Sequence, residues 1–426
     1  MSKKATYLGG IRLTNYKCFQ GEKYLNLLDE NKRIHQWTVI LGNNNTGKTN
    51  LLKAIAELEP QPQEFNFLEK RKETRLIPLN YIRKLGKIKN IKESGSIYSE
   101  IYFENKKTEK RINDKEVTKY SPNWGFSRNE GWSVADVNKL NELKIYGYGV
   151  TRSYGKKGLT ESNELLNSIS LLENNTKLIN FEEWLFQLDY AQKNGNLKAK
   201  NRLEKIKNLL IGDVFPDLQG YNFITNENLE NYILFKTSDG FHQLEDLGYG
   251  YQSTLSWVID LCKKMFDRYP RSSNPLKEPA VVLIDELDLH LHPKWQRNII
   301  SHLTKHFPKT QFIVTTHSPL IIQAINNINL FILSKTDDGI KIEKINKESF
   351  VGWTVEEILE DIMDMGNDIF TKRYQDLIEQ FDQSLDTNNY NKAKKAFDEL
   401  LKIIHPNSSQ RKILELQLSQ LIPNND

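Results

Sequence analysis

The run Gly42-Asn43-Asn44-Asn45-Thr46-Gly47-Lys48-Thr49 has a spacing suited to one kind of chemistry. Its two glycines let the backbone turn until successive N–H groups point at one spot. A helix starting just after them adds its partial positive charge there. Such a spot holds phosphate. A lysine directly after the second glycine reaches the β- and γ-phosphates of a nucleotide, and the next hydroxyl, on Thr49, binds Mg²⁺. The bland alternative is a surface Asn-Gly turn with an ordinary lysine; a β-rich run before the loop and a helical one after it argue against that.

Ile284-Asp285-Glu286 closes an apolar run. A carboxylate at the end of a buried strand is costly to desolvate unless it is paired or metal-bound. Asp285 is placed to hold Mg²⁺ through water, and Glu286 to polarise an attacking water. Acidic pairs at strand ends are common, so this assignment draws its weight from the phosphate loop. Thr315-Thr316-His317-Ser318 ends the following strand. His317 there either hydrogen-bonds a γ-phosphate or simply faces solvent. Asp246-Leu247-Gly248-Tyr249-Gly250-Tyr251-Gln252-Ser253 precedes a helix. Its glycines make a second anion-ready turn, or only a flexible one. His290 and His292, at i and i+2, admit a zinc reading with Asp285 or His317. Zinc sites take three or four ligands, and no fourth candidate is evident.

These residues need elements to hold them. Ile11–Tyr16 alternates apolar and polar side chains, and Tyr24 onward and Trp37–Leu41 read as further strands. Leu51, Leu52, Ile55 and Leu58 recur at helical spacing until Pro60. Ile97–Phe103 alternates as a strand, and residues 106–119 read as a charged hairpin or loop. Residues 157–215 read as helical, with five basic residues between Lys198 and Lys207 on an exposed face. Ile233–Lys236 reads as a strand, followed by a turn and a helix over about 253–265. Ala280–Ile284 is wholly apolar, as central parallel strands are. Pro293 suits the first turn of a helix with Trp295, Ile299, Ile300 and Leu303 on its apolar face. Gln311–Thr315 and Leu330–Leu333 are the next strands. Strands alternating with helices predict a parallel α/β core. Past Ser349 the pattern is helical only: a capping box at Thr354 and Glu357, then amphipathic helices near 371–385, 390–404 and 409–421.

Bulk properties bound the rest. The chain has 426 residues, 38% hydrophobic and 27% charged, with a formal net charge of +4. That weak positive field is compatible with nucleic acid without demanding it. No apolar run approaches the roughly 18 residues that span a bilayer, and the start lacks the apolar stretch of a signal peptide. The two cysteines, Cys18 and Cys262, are far apart in sequence. They suggest neither a metal pair nor a disulfide framework, so the chain reads as cytoplasmic.

The four motifs occur in the order loop, Asp246–Ser253 turn, Asp-Glu pair, histidine. That order resembles the ABC-type ATPases of the SMC, RecF and overcoming-lysogenization-defect group. Ile11-Arg12-Leu13-Thr14-Asn15-Tyr16-Lys17-Cys18-Phe19 is similar to their opening strand. Leu283-Ile284-Asp285-Glu286-Leu287-Asp288-Leu289-His290-Leu291-His292-Pro293, followed by Val314-Thr315-Thr316-His317-Ser318-Pro319, resembles the smaller bacterial members. Tyr146-Gly147-Tyr148-Gly149-Val150-Thr151-Arg152, Gly250-Tyr251-Gln252-Ser253 and Gly352-Trp353-Thr354 resemble the PtuA-type ATPases of Septu and retron anti-phage systems. The resemblance implies an α/β fold: a P-loop ATPase head of mixed or parallel sheet with flanking helices over 1–348. A short helical insertion at 157–232 and an α-helical region at 349–426 complete it.

The same resemblance implies ATP and Mg²⁺ as cofactors, with residues 42–49 on the nucleotide, Thr49 and Asp285 on the metal, and Glu286 and His317 catalytic. Leu247, Gly248, Tyr249, Gly250, Tyr251 and Gln252 become a signature acting in trans, so the heads form a homodimer or higher homo-oligomer. Gly248 stands where the group carries a serine, which removes a hydroxyl donor to the γ-phosphate. The implied function is ATP hydrolysis that controls a separate effector, an HNH-type nuclease, in anti-phage defence, with nucleic acid a candidate further partner and no membrane. A RecF-like DNA-repair ATPase and a slow ATP-gated scaffold are the competing readings. No intrinsic nuclease is expected, because nuclease-bearing relatives carry carboxylates on strands after the histidine motif, where this chain reads as helical.

Overall fold

Residues 6–59, 94–103, 118–120, 123–127, 131–134, 143–155, 167–211, 215, 217–337 and 339–421 are described by the computed structural model. The charged segment expected at 106–119 lies outside them but for its last two residues, which are in a strand, and so does the start of the insertion up to residue 166. The chain divides into two compact units, Met1–Gly352 and Trp353–Asp426.

In the first unit the strands begin with β1 (Thr6–Tyr16), β2 (Phe19–Asn26) and β3 (Trp37–Gly42). Then come β4 (Ser94–Phe103), β5 (Thr118–Tyr120), β6 (Asn123–Ser127), β7 (Gly131–Val134) and β8 (Ile145–Tyr148). After these lie β9 (Gly220–Thr225), β10 (Asn231–Thr237), β11 (Gly240–His242) and β12 (Ala280–Ile284). The last are β13 (Thr310–Thr315), β14 (Ile328–Thr336) and β15 (Gly339–Ile345). The helices are α1 (Lys48–Ala56), α2 (Ile169–Leu172), α3 (Phe181–Lys193) and α4 (Leu197–Leu210). They continue with α5 (Tyr249–Arg268), α6 (Pro293–His306) and α7 (Pro319–Gln323).

The central sheet has the order β15-β14-β3-β13-β12-β8. Its pairs from β14 to β8 are all parallel, and β15 closes one edge antiparallel to β14. The fold is therefore mixed α/β. Every residue of β12 and β13 is buried, which is why these strands read as near-continuous apolar runs. A second sheet runs β2-β1-β4-β6-β7, with β5 on β4, and a third runs β11-β10-β9. One core unites the first two: Leu8, Ile11 and Leu13 of β1, Leu51, Leu52 and Ile55 of α1, and Val281, Leu283, Ile313 and Phe331 of the central sheet. Helix α1 is thus gripped along most of its length, with the start of α1 left as its working end. Its exit is tied down by Glu59, a buried carboxylate that accepts from Asn167 Nδ2 at 2.7 Å and from the Ile145 backbone N–H at 3.2 Å. Burial raises the Glu59 carboxyl above the usual range.

Two expectations are refined here. Helix α5 begins at Tyr249, four residues earlier than about 253, so most of the signature forms its first turn. The segment 157–232 is not wholly helical, since β9 and the start of β10 fall inside it. Strands β8 and β15, one with a buried Gly-Tyr pattern and one mixed, complete the sheet edges.

The second unit contains α8 (Val355–Asp361), α9 (Lys372–Asp386), α10 (Tyr390–Leu401) and α11 (Ser409–Ser419). Thr354 and Glu357 form the capping box of α8. Phe381, Ala393, Phe397, Leu400, Leu414 and Leu418 make this unit's own core. No helix among the described residues is long and apolar enough to cross a membrane.

Candidate nucleotide-binding site

Parallel strands place their carboxyl ends on one edge of a sheet, and ligands of open α/β sheets bind there. Four segments leave that edge: residues 42–49 after β3, 285–292 after β12, 315–318 after β13, and 149–152 after β8. Motifs more than 200 residues apart in sequence are gathered by strand order alone.

The loop after β3 is built by its backbone. Gly42 has φ 149°, Asn45 65° and Gly47 93°. A Cβ on Gly42 would lie 2.4 Å from the Leu333 carbonyl oxygen, so no larger residue fits. Thr46 caps the turn by donating its hydroxyl to the Asn43 carbonyl at 2.8 Å. Asn43, Asn44 and Asn45 are exposed, and Lys48 is buried as the first residue of α1. The Lys48 ammonium folds back and donates to the carbonyls of Gly42 at 2.6 Å and Asn43 at 3.1 Å. Burial pushes its pKa down, and Asp285, Glu286 and Asp288 push it up.

Asp285, 2% exposed, receives two hydroxyls. Thr49 Oγ1 donates to one carboxylate oxygen at 2.7 Å, and Thr315 Oγ1 to the other at 2.7 Å. The residues expected to share Mg²⁺ are therefore in direct contact. Glu286 takes a left-handed backbone, φ 50°, a conformation that costs a non-glycine residue about 1–3 kcal/mol and persists only where its surroundings hold it. Its N–H donates to Thr315 Oγ1 at 2.7 Å. Asp288 accepts from the Thr316 hydroxyl at 2.5 Å and from the His317 N–H at 3.3 Å. His317 Nε2 is buried and, among the described residues, has no hydrogen-bond partner.

The signature residues, at the start of α5, lie against the 285–292 segment. A Cβ on Gly250 would fall 2.2 Å from the His290 carbonyl oxygen, and the Tyr249 ring meets the His290 ring edge-on at 4.6 Å. Tyr251 packs on Trp295 at 4.3 Å, and Gln252 Nε2 donates to the Leu247 carbonyl at 2.7 Å. Gly248, Gly250, Tyr251, His290, His292 and Trp295 line part of a cleft of about 710 Å³. Gly248 is the N-cap of α5 and has open space around it. His292 is the N-cap of α6, its Nδ1 accepting from the Lys294 N–H at 3.3 Å. Among the described residues, no group of three or more His, Cys, Asp or Glu could hold a metal ion.

The residues present fit a nucleotide with Mg²⁺. A turned loop at a helix N-terminus, a buried ammonium, a hydroxyl on a carboxylate and an orphaned imidazole nitrogen converge on the carboxyl edge. Mg²⁺ keeps several waters and takes one or two protein oxygens, which Thr49 and Asp285 would supply without a protein-only cage. Bound there, a nucleotide with Mg²⁺ supplies the phosphoanhydride bond and the neutralising charge for its cleavage. Three residues of the site carry no role in the motif reading: Thr315, Asp288 and Arg152. Thr315 and Asp288 sit inside the motifs and are legible as polar residues at strand ends. Arg152 is a buried charge, and nothing in its local sequence says so.

Comparison with known proteins bears on the family. The model of the AAA ATPase domain family matches residues 7–322. The Septu protein PtuA of Bacillus thuringiensis is 37% identical over 194 residues, 44% of this chain and 48% of that protein. PtuA of Bacillus mycoides (strain KBAB4) is 26% identical over 390 residues, 87% of this chain and 47% of that protein. The chain thus spans about half the length of these curated relatives. The retron Ec83 probable ATPase of Escherichia coli is 38% identical over 130 residues, 30% of this chain and 24% of that protein. Among solved structures, an SMC head bound to the C-winged helix domain of ScpA aligns with a TM-score of 0.49 and 14% identity, over 80% of this chain and 98% of that one. With the match extending from β1 through the histidine motif, the chain belongs to the AAA ATPase domain family.

Proposed function

We propose that the chain binds ATP with Mg²⁺ and hydrolyses it, and that two heads close around the nucleotide. Asp285 carries the reading: its two oxygens join Thr49 of the phosphate loop to Thr315 of the strand between. In this reading Lys48 turns from the carbonyls of Gly42 and Asn43 toward the β- and γ-phosphates, and Thr49 and Asp285 hold the metal. Glu286 accepts a proton from the attacking water, and His317 contacts the γ-phosphate. Gly248, Tyr249 and Gly250 present the start of α5 to the nucleotide of a second copy. ATP-driven closure controls a separate nuclease effector in anti-phage defence; support comes from the likeness to Septu and retron proteins.

Calorimetry and turnover on two variants test the site. Lys48→Ala is expected to abolish ATP binding, and Glu286→Gln to keep binding while stopping hydrolysis. Unchanged ATP affinity in Lys48→Ala would sink the loop assignment. Wild-type turnover by Glu286→Gln would mean that another residue is the base.

A further inference from the structure

Arg152 is 2% exposed, and among the described residues no carboxylate forms an ion pair with it. A buried guanidinium is strongly desolvated, so what it touches is informative. It donates from Nε to the Gly149 carbonyl at 2.9 Å, and from one terminal nitrogen to the carbonyls of both Asp285 and Glu286, the latter at 2.7 Å.

That double contact has a geometric consequence. Along a strand the backbone is pleated and successive carbonyls point to opposite sides. Here the carbonyls before and after Glu286 point at the same nitrogen, so the chain must turn at Glu286. It does, at φ 50°. Opposite Arg152, Thr315 holds the other side: its hydroxyl accepts from the Glu286 N–H and its carbonyl from the Leu287 N–H at 2.9 Å. Both peptide groups flanking Glu286 are thereby fixed, and with them the direction of its Cα–Cβ bond. Burial pushes the Arg152 guanidinium down to about 10, and Asp285, Asp288 and Glu286 oppose that shift. The group stays charged near neutrality, beside three carboxylates whose mutual repulsion it offsets.

We infer that Arg152 is a positioning residue for hydrolysis, its planar fork turning the backbone at Glu286 and aiming that carboxylate at the attacking water. This rests on the reading of Glu286 as the general base. A lysine would keep the charge and lose the fork, because its donors leave a single nitrogen, whereas Arg152 serves the Gly149 carbonyl from one nitrogen and the Asp285–Glu286 pair from another.

The test compares Arg152→Lys and Arg152→Gln with Glu286→Gln and with the double variant Arg152→Lys/Glu286→Gln, in the full chain. Folding is followed by circular dichroism, ATP affinity by calorimetry and hydrolysis by single-turnover assay. Both Arg152 variants are expected to fold and to bind ATP within about threefold of wild type. Their hydrolysis should fall about 10- to 100-fold, the range seen when residues supporting a site's primary ligands are removed. The double variant should be no slower than Glu286→Gln alone, since Arg152 acts only through Glu286. The assignment is overturned by unchanged turnover, by ATP affinity falling in step with turnover, by a further loss in the Glu286→Gln background, or by loss of folding in both Arg152 variants. A wild-type chain without turnover removes the ATPase reading and this one with it. Turnover in the wild type that survives in Arg152→Lys removes this one alone.

Discussion

At the scale of single residues, His317 is the sharpest case. A buried imidazole nitrogen without a partner costs about 1–3 kcal/mol, so a purely structural histidine would be expected to find one. Its backbone N–H is held by Asp288, and among the described residues its Nε2 has no partner. His317→Ala should therefore leave the melting temperature of the ligand-free chain little changed and slow turnover by about 100-fold or more, as loss of one transition-state hydrogen-bond donor does. ATP binding should survive, placing this variant between Lys48→Ala and Glu286→Gln. A large fall in melting temperature with unchanged turnover would show a packing histidine instead.

At the scale of elements, α5 is the informative one, because the two glycines at its start behave oppositely. Gly250 lies where the His290 carbonyl leaves no room for a Cβ. Alanine has a helix propensity about 1 kcal/mol better than glycine, yet the contact decides the sign. Gly250→Ala should destabilise the chain by about 1–3 kcal/mol, the usual cost of overpacking. Gly248 is open and caps the helix with an ordinary φ of −54°. Gly248→Ser should stabilise by a few tenths of a kcal/mol, since serine caps better than glycine. Urea denaturation measures both. A neutral Gly250→Ala would mean that the α5 start and the 285–292 segment are not rigidly apposed. This contact makes a bulky change at Gly250 a poor probe of dimerisation, because the fold itself would suffer.

At the scale of the whole molecule, Gly248→Asp is the cleaner probe. A Cβ there meets nothing within 4 Å, so the change adds a carboxylate where the proposed partner's γ-phosphate would sit, and like charges in a poorly screened site repel strongly. ATP-dependent dimerisation followed by light scattering should disappear while ATP binding by the single head persists. Normal dimerisation would show that the signature does not act in trans. The second unit, with its own core of Phe381, Phe397 and Leu400, bears on the effector. Its acidic residues Glu356 and Glu357 lie in the first turn of α8, where capping and the helix dipole account for them without a metal. The purified chain should leave plasmid and single-stranded DNA intact with Mg²⁺ or Mn²⁺. Metal-dependent cutting that disappears on mutating these carboxylates would end the idea of a separate effector.

The separate pieces are legible locally. The glycine spacing of residues 42–49, the apolar run closing at Asp285 and the capping box at Thr354 are local, because backbone conformation, strand burial and helix starts are set within a few residues. Tertiary structure alone decided what those pieces do together. Strand order brings Thr49, Asp285 and Thr315 into contact, leaves His317 Nε2 without a partner among the described residues, and buries Arg152 beneath Glu286. It also presses Gly250 on His290 and starts α5 four residues early, since the first turn is held by its neighbours and not by propensity. Burial and partner choice are sums over distant residues. No window of the chain contains them.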